Sequence, residues 1–298
     1  MNELLHSLDW VLPLRNDALT PLMRFFTLLG YEKFILFFLP LGYWAWHRAV
    51  FFRLLVLVAI TALLNAWLKD YWQDPRPDIA LRMDHEVGES FGLPSGHAQI
   101  SVVIWFWLAL EVRRLWFWGL ACTLVAGILF SRLYLGAHDI EDLIGGSLLG
   151  AATLGCFALA QRWQGWREVP ALVLLMLIIG ATALAYFTWR GEPPSYVPLL
   201  AGLMVAVLYG YRHLDFSMEV AVWRRVLAAT LGALAFIGLQ WALKHIGFAF
   251  SLDGQAWQAF RGLVMGGFVA ALMPWLLVRL GLLKARREPA PQALARAA

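Results

Sequence analysis

Apolar residues along this chain run in long blocks with little polar interruption. Such blocks recur near residues 34–46, 51–68, 98–110, 116–130, 144–159, 171–187, 197–211, 226–243 and 263–280. A helix needs roughly 20 mostly apolar residues to cross the hydrocarbon core of a bilayer. The pattern therefore predicts an all-α, polytopic bundle of about nine transmembrane helices, the first and third of them short. Residues 1–30 differ, because Glu3, His6, Asp9, Arg15, Asp17 and Arg24 are spread among apolar neighbours. They predict one or two amphipathic helices lying on the membrane, broken at Pro13 and Gly30. No basic region precedes the first apolar stretch, so residues 1–30 do not read as a cleavable signal peptide. Residues 288–298 read as a disordered tail.

Composition sharpens this picture. The 298 residues are 61% hydrophobic and 15% charged, whereas soluble domains run near 45–50% apolar and about 25% charged. That excludes an ordinary soluble enzyme, a disordered chain and a basic nucleic-acid-binding domain. Cys122 and Cys156 sit inside apolar runs and read as small core residues. The net charge of +4 matters less than its distribution. Alternate segments holding Arg48, Arg113, Arg162, Arg224, Lys284 and Arg286 carry more Lys and Arg than the segments between them. The positive-inside rule then puts the C-terminus in the cytoplasm and the N-terminus outside. Many of the 16 Trp, such as Trp46, Trp116, Trp163 and Trp275, fall near span ends, as interfacial anchors do.

The less positive face carries the chemistry. One connection begins at Lys69, runs through Arg76-Pro77 and ends in Pro94-Ser95-Gly96-His97. A second holds Ser131-Arg132 and His138, with Asp142 four residues on. Ser95, Gly96 and His97 open a long apolar helix, whose unpaired backbone N–H groups favour an anion. Lys69, Arg76 and Arg132 can bring three positive charges to the same place, matching a phosphate monoester. If a helix begins near Ala137, His138 and Asp142 share one face. The carboxylate can then fix one imidazole nitrogen and leave the other as a nucleophile. His97 is suited to protonate a departing oxygen. Singly, these residues read as snorkelling cations, a Ser helix cap or a structural ion pair. Taken together, in order and on one membrane face, they read as a site.

The blocks Lys69-x6-Arg76-Pro77, Pro94-Ser95-Gly96-His97 and Ser131-Arg132-x5-His138-x3-Asp142 resemble the three-part signature of the type 2 phosphatidic acid phosphatase superfamily. That group includes lipid phosphate phosphatases, glucose-6-phosphatase and the soluble vanadium haloperoxidases. The resemblance implies that His138 attacks phosphorus and forms a phosphohistidine, oriented by Asp142. It implies that His97 protonates the leaving oxygen and then activates water. Lys69, Arg76, Ser95, Gly96 and Arg132 would hold the phosphoryl oxygens, with no metal and no cofactor. Residues 31–165 would form the phosphatase core and 166–287 additional transmembrane helices.

The expected substrate is a lipid phosphate or diphosphate in the membrane: phosphatidate, phosphatidylglycerol phosphate, a polyprenyl diphosphate or a sphingoid phosphate. The expected location is the bacterial inner membrane, with the site on the extracytoplasmic side. A sugar-phosphate phosphatase of the glucose-6-phosphatase type is the main alternative, and a phospholipid transporter or scramblase a further one. Gly146 and Gly150 read as a small-residue packing face for the helix after His138. Asp139 and Glu141 read as solvated loop charges. In residues 78–91, Ile79, Leu81 and Met83 could form an apolar lip, with Asp84, Glu86 and Glu89 making the other face of the segment acidic, so it could be a lid.

Overall fold

The computed structural model describes residues 5–88, 90–162, 171–191 and 193–286. The expected tail at 288–298, together with Glu89 and Trp163, lies outside them. The chain is a helical bundle. Its helices are α1 (Leu19–Leu28), α2 (Glu32–Ala45), α3 (Arg48–Trp72), α4 (Gly96–Val112), α5 (Leu115–Tyr134) and α6 (Ile140–Arg162). They continue as α7 (Ala171–Phe187), α8 (Tyr196–His213), α9 (Val222–Ala249) and α10 (Gln255–Arg279), the last with a π-helical stretch at Phe268–Leu272. A two-residue antiparallel pair joins Phe216–Ser217 to Lys284–Ala285.

Each of the nine apolar stretches coincides with one of these helices, 34–46 and 263–280 running one residue past its end. Among the described residues, however, only α3, α5, α6, α9 and α10 are long and apolar enough to cross a membrane. A sixth crossing exists if α1 and α2, bent by 56° at their junction, count as one broken span. The protein is thus a multi-pass membrane bundle with five to six candidate spans, not nine established ones. Length is one reason. The 17 residues of α4 reach only about 26 Å at roughly 1.5 Å per residue, short of a hydrocarbon core of about 30 Å.

Packing explains how these helices are held. The main core lies where α2, α3, α4, α5, α9 and α10 meet, around Trp44, Phe51, Leu54, Leu57, Ile104, Leu108, Ile128 and Phe236. The Trp44 indole N–H donates to the Val269 carbonyl at 2.9 Å, so its one polar atom is satisfied inside that core. Helices α4 and α6 approach closely because α6 has glycines where side chains would intrude. A Cβ on Gly146 would collide with the Ser95 carbonyl oxygen, and one on Gly150 would stand 2.7 Å from that of Gln99. Cys122 and Cys156, expected in the core, are instead free and exposed on α5 and α6. The apolar runs that contain them face outward on those sides, as helices bathed in lipid do.

Residues 5–31 close over one end of the bundle. Leu8, Val11 and Met23 form a second buried cluster with Ala98, Leu133, Tyr134, Leu135 and Leu143. Arg15 donates to the carbonyls of Tyr134 and Leu81 at 2.8 and 2.9 Å. The apolar side of this segment therefore rests on protein at that end. Pro13 lies in a short 3-10 turn, Leu12–Leu14, and Gly30 at the bend between α1 and α2.

Candidate active site

Helices α3 to α6 alternate in direction, so the last turns of α3 and α5 meet the first turns of α4 and α6 at one end of the bundle. Lys69 is in the last turn of α3 and Arg132 in the last turn of α5. Ser95 caps α4, its Oγ accepting from the Ala98 N–H at 3.5 Å, and Asp142 lies in the first turn of α6. Between α5 and α6 the chain turns at Gly136, where φ is +68°. That conformation and the Leu81 carbonyl packed against it both favour glycine. The turn delivers His138 directly beside Asp142.

His138 Nδ1 and Asp142 Oδ2 are 2.7 Å apart, with the two side chains 2% and 1% exposed. Arg76 Nη1 stands 3.0 Å from His138 Nε2. A guanidinium only donates, so Nε2 must carry the lone pair and the proton sits on Nδ1, directed at the carboxylate. This is the tautomer a nitrogen nucleophile requires. Gly92 lets the carboxylate fit, since a Cβ there would stand 2.9 Å from both Asp142 oxygens. The backbone adds two restraints: Ser95 N donates to the Asp142 carbonyl at 3.0 Å, and Asp142 N to Asp139 Oδ1 at 3.0 Å. Burial, then the charges of Arg76, Lys69 and Arg132, hold the His138 imidazole well below its usual pKa. It is a neutral base at ordinary pH.

All three sequence-identified cations reach this place, each gripped by oxygens. Lys69 Nζ donates to the Phe91 carbonyl and, at 2.7 Å, to that of Gly92. Arg76 donates to the Ala137 carbonyl at 2.7 Å, and to the carbonyl and hydroxyl of Ser90 at 2.5 and 2.9 Å. Burial, and then Arg132, push its pKa down to about 10. Arg132 is 1% exposed and donates from Nη1 to Asp84 Oδ2 at 2.7 Å and to the Thr27 hydroxyl. Ser95 and Gly96 stand at the N-terminus of α4, fixed by Asn65, which donates to the Pro94 carbonyl and to Gln99 Oε1 at 3.0 and 2.9 Å. Three buried atoms of the cluster have no hydrogen-bond partner among the described residues: His97 Nε2, Arg132 Nε and Asp142 Oδ1. Leaving such an atom unpaired costs about 1–3 kcal/mol, so their presence in one cluster makes it a candidate site.

The structure also recruits residues that sequence reasoning misjudged or missed. Asp84 does more than add charge to one face of residues 78–91. It turns inward onto Arg132 and accepts from the Tyr31 hydroxyl at 2.5 Å. Burial pushes its carboxyl up, but those two partners outweigh burial and leave it below the usual carboxylate range. Leu81 and Met83 pack on the second buried cluster, leaving Ile79, 76% exposed, to face outward alone. Asp139 is buried, not solvated, and pairs with His6 Nδ1 at 2.7 Å, while His6 Nε2 meets Glu141 at 3.0 Å. Thr27 and Tyr31 had no signal at all, since no motif joins residues so far apart in the chain. Among the described residues, no group of three or more His, Cys, Asp and Glu side chains is arranged to hold a metal ion.

Comparison with known proteins gives the family. The family model described as the PAP2 superfamily matches residues 50–167. A second, the PAP2 superfamily phosphatase transmembrane extension, matches residues 195–287. Sphingosine-1-phosphate phosphatase 2 of Mus musculus is 29% identical over 159 residues, covering 51% of this chain and 44% of that protein. Phosphatidylglycerophosphatase B of Bacillus subtilis is 31% identical over 153 residues, covering 46% of this chain and 72% of that protein. The chain spans less than half the length of the first curated relatives it matches. Among solved structures, a transmembrane PAP2-type phosphatidylglycerolphosphate phosphatase from Bacillus subtilis aligns with a TM-score of 0.46 at 23% identity, over 53% of this chain and 84% of its own.

Proposed function

Because the chain belongs to the PAP2 superfamily, we propose that it is an integral-membrane phosphatase acting on a lipid phosphate or diphosphate through a covalent phosphohistidine. The observation that carries this reading is the buried His138–Asp142 pair, at 2.7 Å, set among Lys69, Arg76 and Arg132. In the first step Nε2 of His138 bonds to phosphorus as the bond from phosphorus to the leaving oxygen breaks. Arg76 gives up Nε2 and turns to a phosphoryl oxygen. Asp142 stabilises the positive charge that the ring acquires. His97, protonated at Nε2, passes that proton to the leaving oxygen. In the second step a water gives a proton to His97 as it attacks phosphorus, and the P–N bond breaks to release phosphate and neutral His138. Charge on the phosphoryl oxygens is met by the three cations, with the N-terminus of α4, at Ser95 and Gly96, as a further anchor.

The substrate class follows from position and surroundings. Lys69, Ser95, Arg132 and Asp142 sit at helix ends, hence at headgroup level, while the helices behind them are apolar. A sugar phosphate would need partners for its hydroxyls, and a site lacking them discriminates against it. The names of the mouse and Bacillus relatives, a sphingosine phosphate phosphatase and a phosphatidylglycerophosphatase, point the same way. The site faces the extracytoplasmic side of a plasma membrane, such as a bacterial inner membrane, in a nine-span arrangement with the C-terminus inside. Alkaline phosphatase fused after Ala298 should then stay inactive, and an active fusion would invert this topology. For substrate, kcat/KM should be compared in mixed micelles for phosphatidate, phosphatidylglycerol phosphate, a polyprenyl diphosphate, a sphingoid phosphate and glucose 6-phosphate. At least one lipid should exceed the sugar phosphate. Preference for the sugar over every lipid would overturn the lipid assignment.

A further inference from the structure

The bend between α1 and α2 lies before the region matched by the PAP2 family model, which begins at residue 50, yet it touches two groups of the site at once. Thr27, 5% exposed, takes the Arg132 Nη1 bond on its hydroxyl. Three residues on, Gly30 makes room for the His97 ring. A Cβ there would collide with Cδ2 of His97 and stand 3.0 Å from Cγ and 3.3 Å from Cβ. Tyr31 then meets the ring edge-on, with centroids 4.7 Å apart and planes at 89°. Its hydroxyl holds Asp84, the other partner of Arg132 Nη1.

These contacts have a chemical consequence. The buried His97 Nε2 has no hydrogen-bond partner among the described residues, while Gly30 and Tyr31 fix the place and plane of its ring. That nitrogen is therefore open to give and take a proton in the site. Likewise Thr27 and Asp84 occupy Nη1 of Arg132, while its Nε is buried and unpartnered among the described residues. That leaves the Nε edge of the fork for a phosphoryl oxygen.

We propose that the Thr27–Tyr31 bend is a positioning element of the active site, in which Gly30 and Tyr31 hold the His97 ring so that Nε2 meets the leaving oxygen and the Thr27 hydroxyl holds Arg132 for the phosphoryl group. The inference rests on the phosphatase reading above for its chemistry, but its geometry stands apart from it. A glycine and an aromatic edge suit the task, since they orient an imidazole without adding a charge beside the phosphoryl group. The bend also explains why a glycine stands at residue 30: any side chain would push His97 off its line.

The test uses the full-length protein in detergent, with variants Gly30→Ala and Thr27→Val and the conservative Thr27→Ser. Two substrates are compared, a long-chain alkyl phosphate and p-nitrophenyl phosphate. Nitrophenolate leaves without a proton, so in kcat/KM, which ends at phosphoenzyme formation, a misplaced general acid harms only the alkyl ester. Gly30→Ala should lower kcat/KM for the alkyl phosphate by about 100-fold, within the usual worth of a general acid, and leave that of the nitrophenyl ester within a few-fold. Thr27→Val should lower kcat/KM for both substrates alike, and Thr27→Ser should restore it. Equal loss on both substrates in Gly30→Ala, or no loss, would overturn the inference. Nitrogen-15 shifts of the His97 ring supply a readout independent of turnover. The wild type should show one ordered ring environment, and Gly30→Ala a disturbed one. Shifts that Gly30→Ala leaves unchanged would sink the inference even if the enzyme is active. A wild type with the expected ring but no phosphatase activity would instead sink the function and leave the positioning geometry in place.

Discussion

A histidine attacks phosphorus only through an unprotonated nitrogen, and the surroundings of His138 keep it so. Burial and the charges of Arg76, Lys69 and Arg132 depress its pKa, so its neutral form persists below the usual value of about 6.5. The burst of product that accompanies phosphoenzyme formation should therefore survive at pH 5.5, whereas a burst that vanishes with a midpoint near 6.5 would contradict this environment. The same shift has a cost for stability. As pH falls through about 6.5 the unfolded chain gains a proton that folded His138 refuses, so this group weakens the fold toward acid. His6 runs the other way. The Asp139 hydrogen bond, opposed by burial and reinforced by the charges of Asp139, Glu141 and Asp74, raises its pKa. Its contribution is complete below about 6.5 and fades as pH rises through the raised value. Proteolysis of the N-terminal segment should accelerate as pH rises from neutral to alkaline, and a rate that falls instead would refute the tether. His138 and Asp142 were legible in the sequence because four residues on a helix bring two side chains to one face. Asp84, Thr27 and Tyr31 were not. They reach Arg132 across 48 and 105 residues, or His97 by a ring contact, and only the folded bend creates those meetings.

At the scale of elements, the site depends on how closely α4 and α6 can approach. Gly146 touches the Ser95 backbone, and Ser95 N is itself bonded to the Asp142 carbonyl. A side chain at residue 146 would therefore separate the α4 terminus from the carboxylate that orients His138. Gly146→Ala should destabilise the protein by about 1–3 kcal/mol, the usual cost of overpacking, and should lower kcat as well. Gly155 on the same helix is different, since a Cβ there would meet nothing within 4 Å among the described residues. Gly155→Ala should accordingly be neutral or slightly stabilising, through helix propensity. Equal melting temperatures for the two variants would remove the packing argument. The glycine face of α6 could be read from its spacing. The matching face between α8 and α10 could have been read the same way from Gly262 and Gly266, whose Cβ positions run into the Leu199 and Leu203 backbones. Hydropathy located every long helix. It could not decide which of them cross the membrane, because α4 and α7 are short and the α1–α2 pair is bent.

At the scale of the whole molecule, an apolar bundle carries a buried cluster of charged groups at one end, covered by residues 5–31. Buried ionisable groups among helix ends are costly, and they persist where they serve a site. Here the cations Lys69, Arg76 and Arg132 outnumber the carboxylate that orients His138. Of the three, Arg132 alone has a carboxylate in direct contact among the described residues, that of Asp84. The remaining positive charge suits a phosphoryl group. The central claim is that this group is transferred to His138. Rapid acid-free quenching of the full-length protein turning over a radiolabelled lipid phosphate, in the presence of EDTA, tests it most directly. The account predicts an acid-labile, alkali-stable label on the peptide that contains His138, and no label in His138→Ala. Steady turnover in which no label ever reaches that peptide, or a label that persists in His138→Ala, would contradict it.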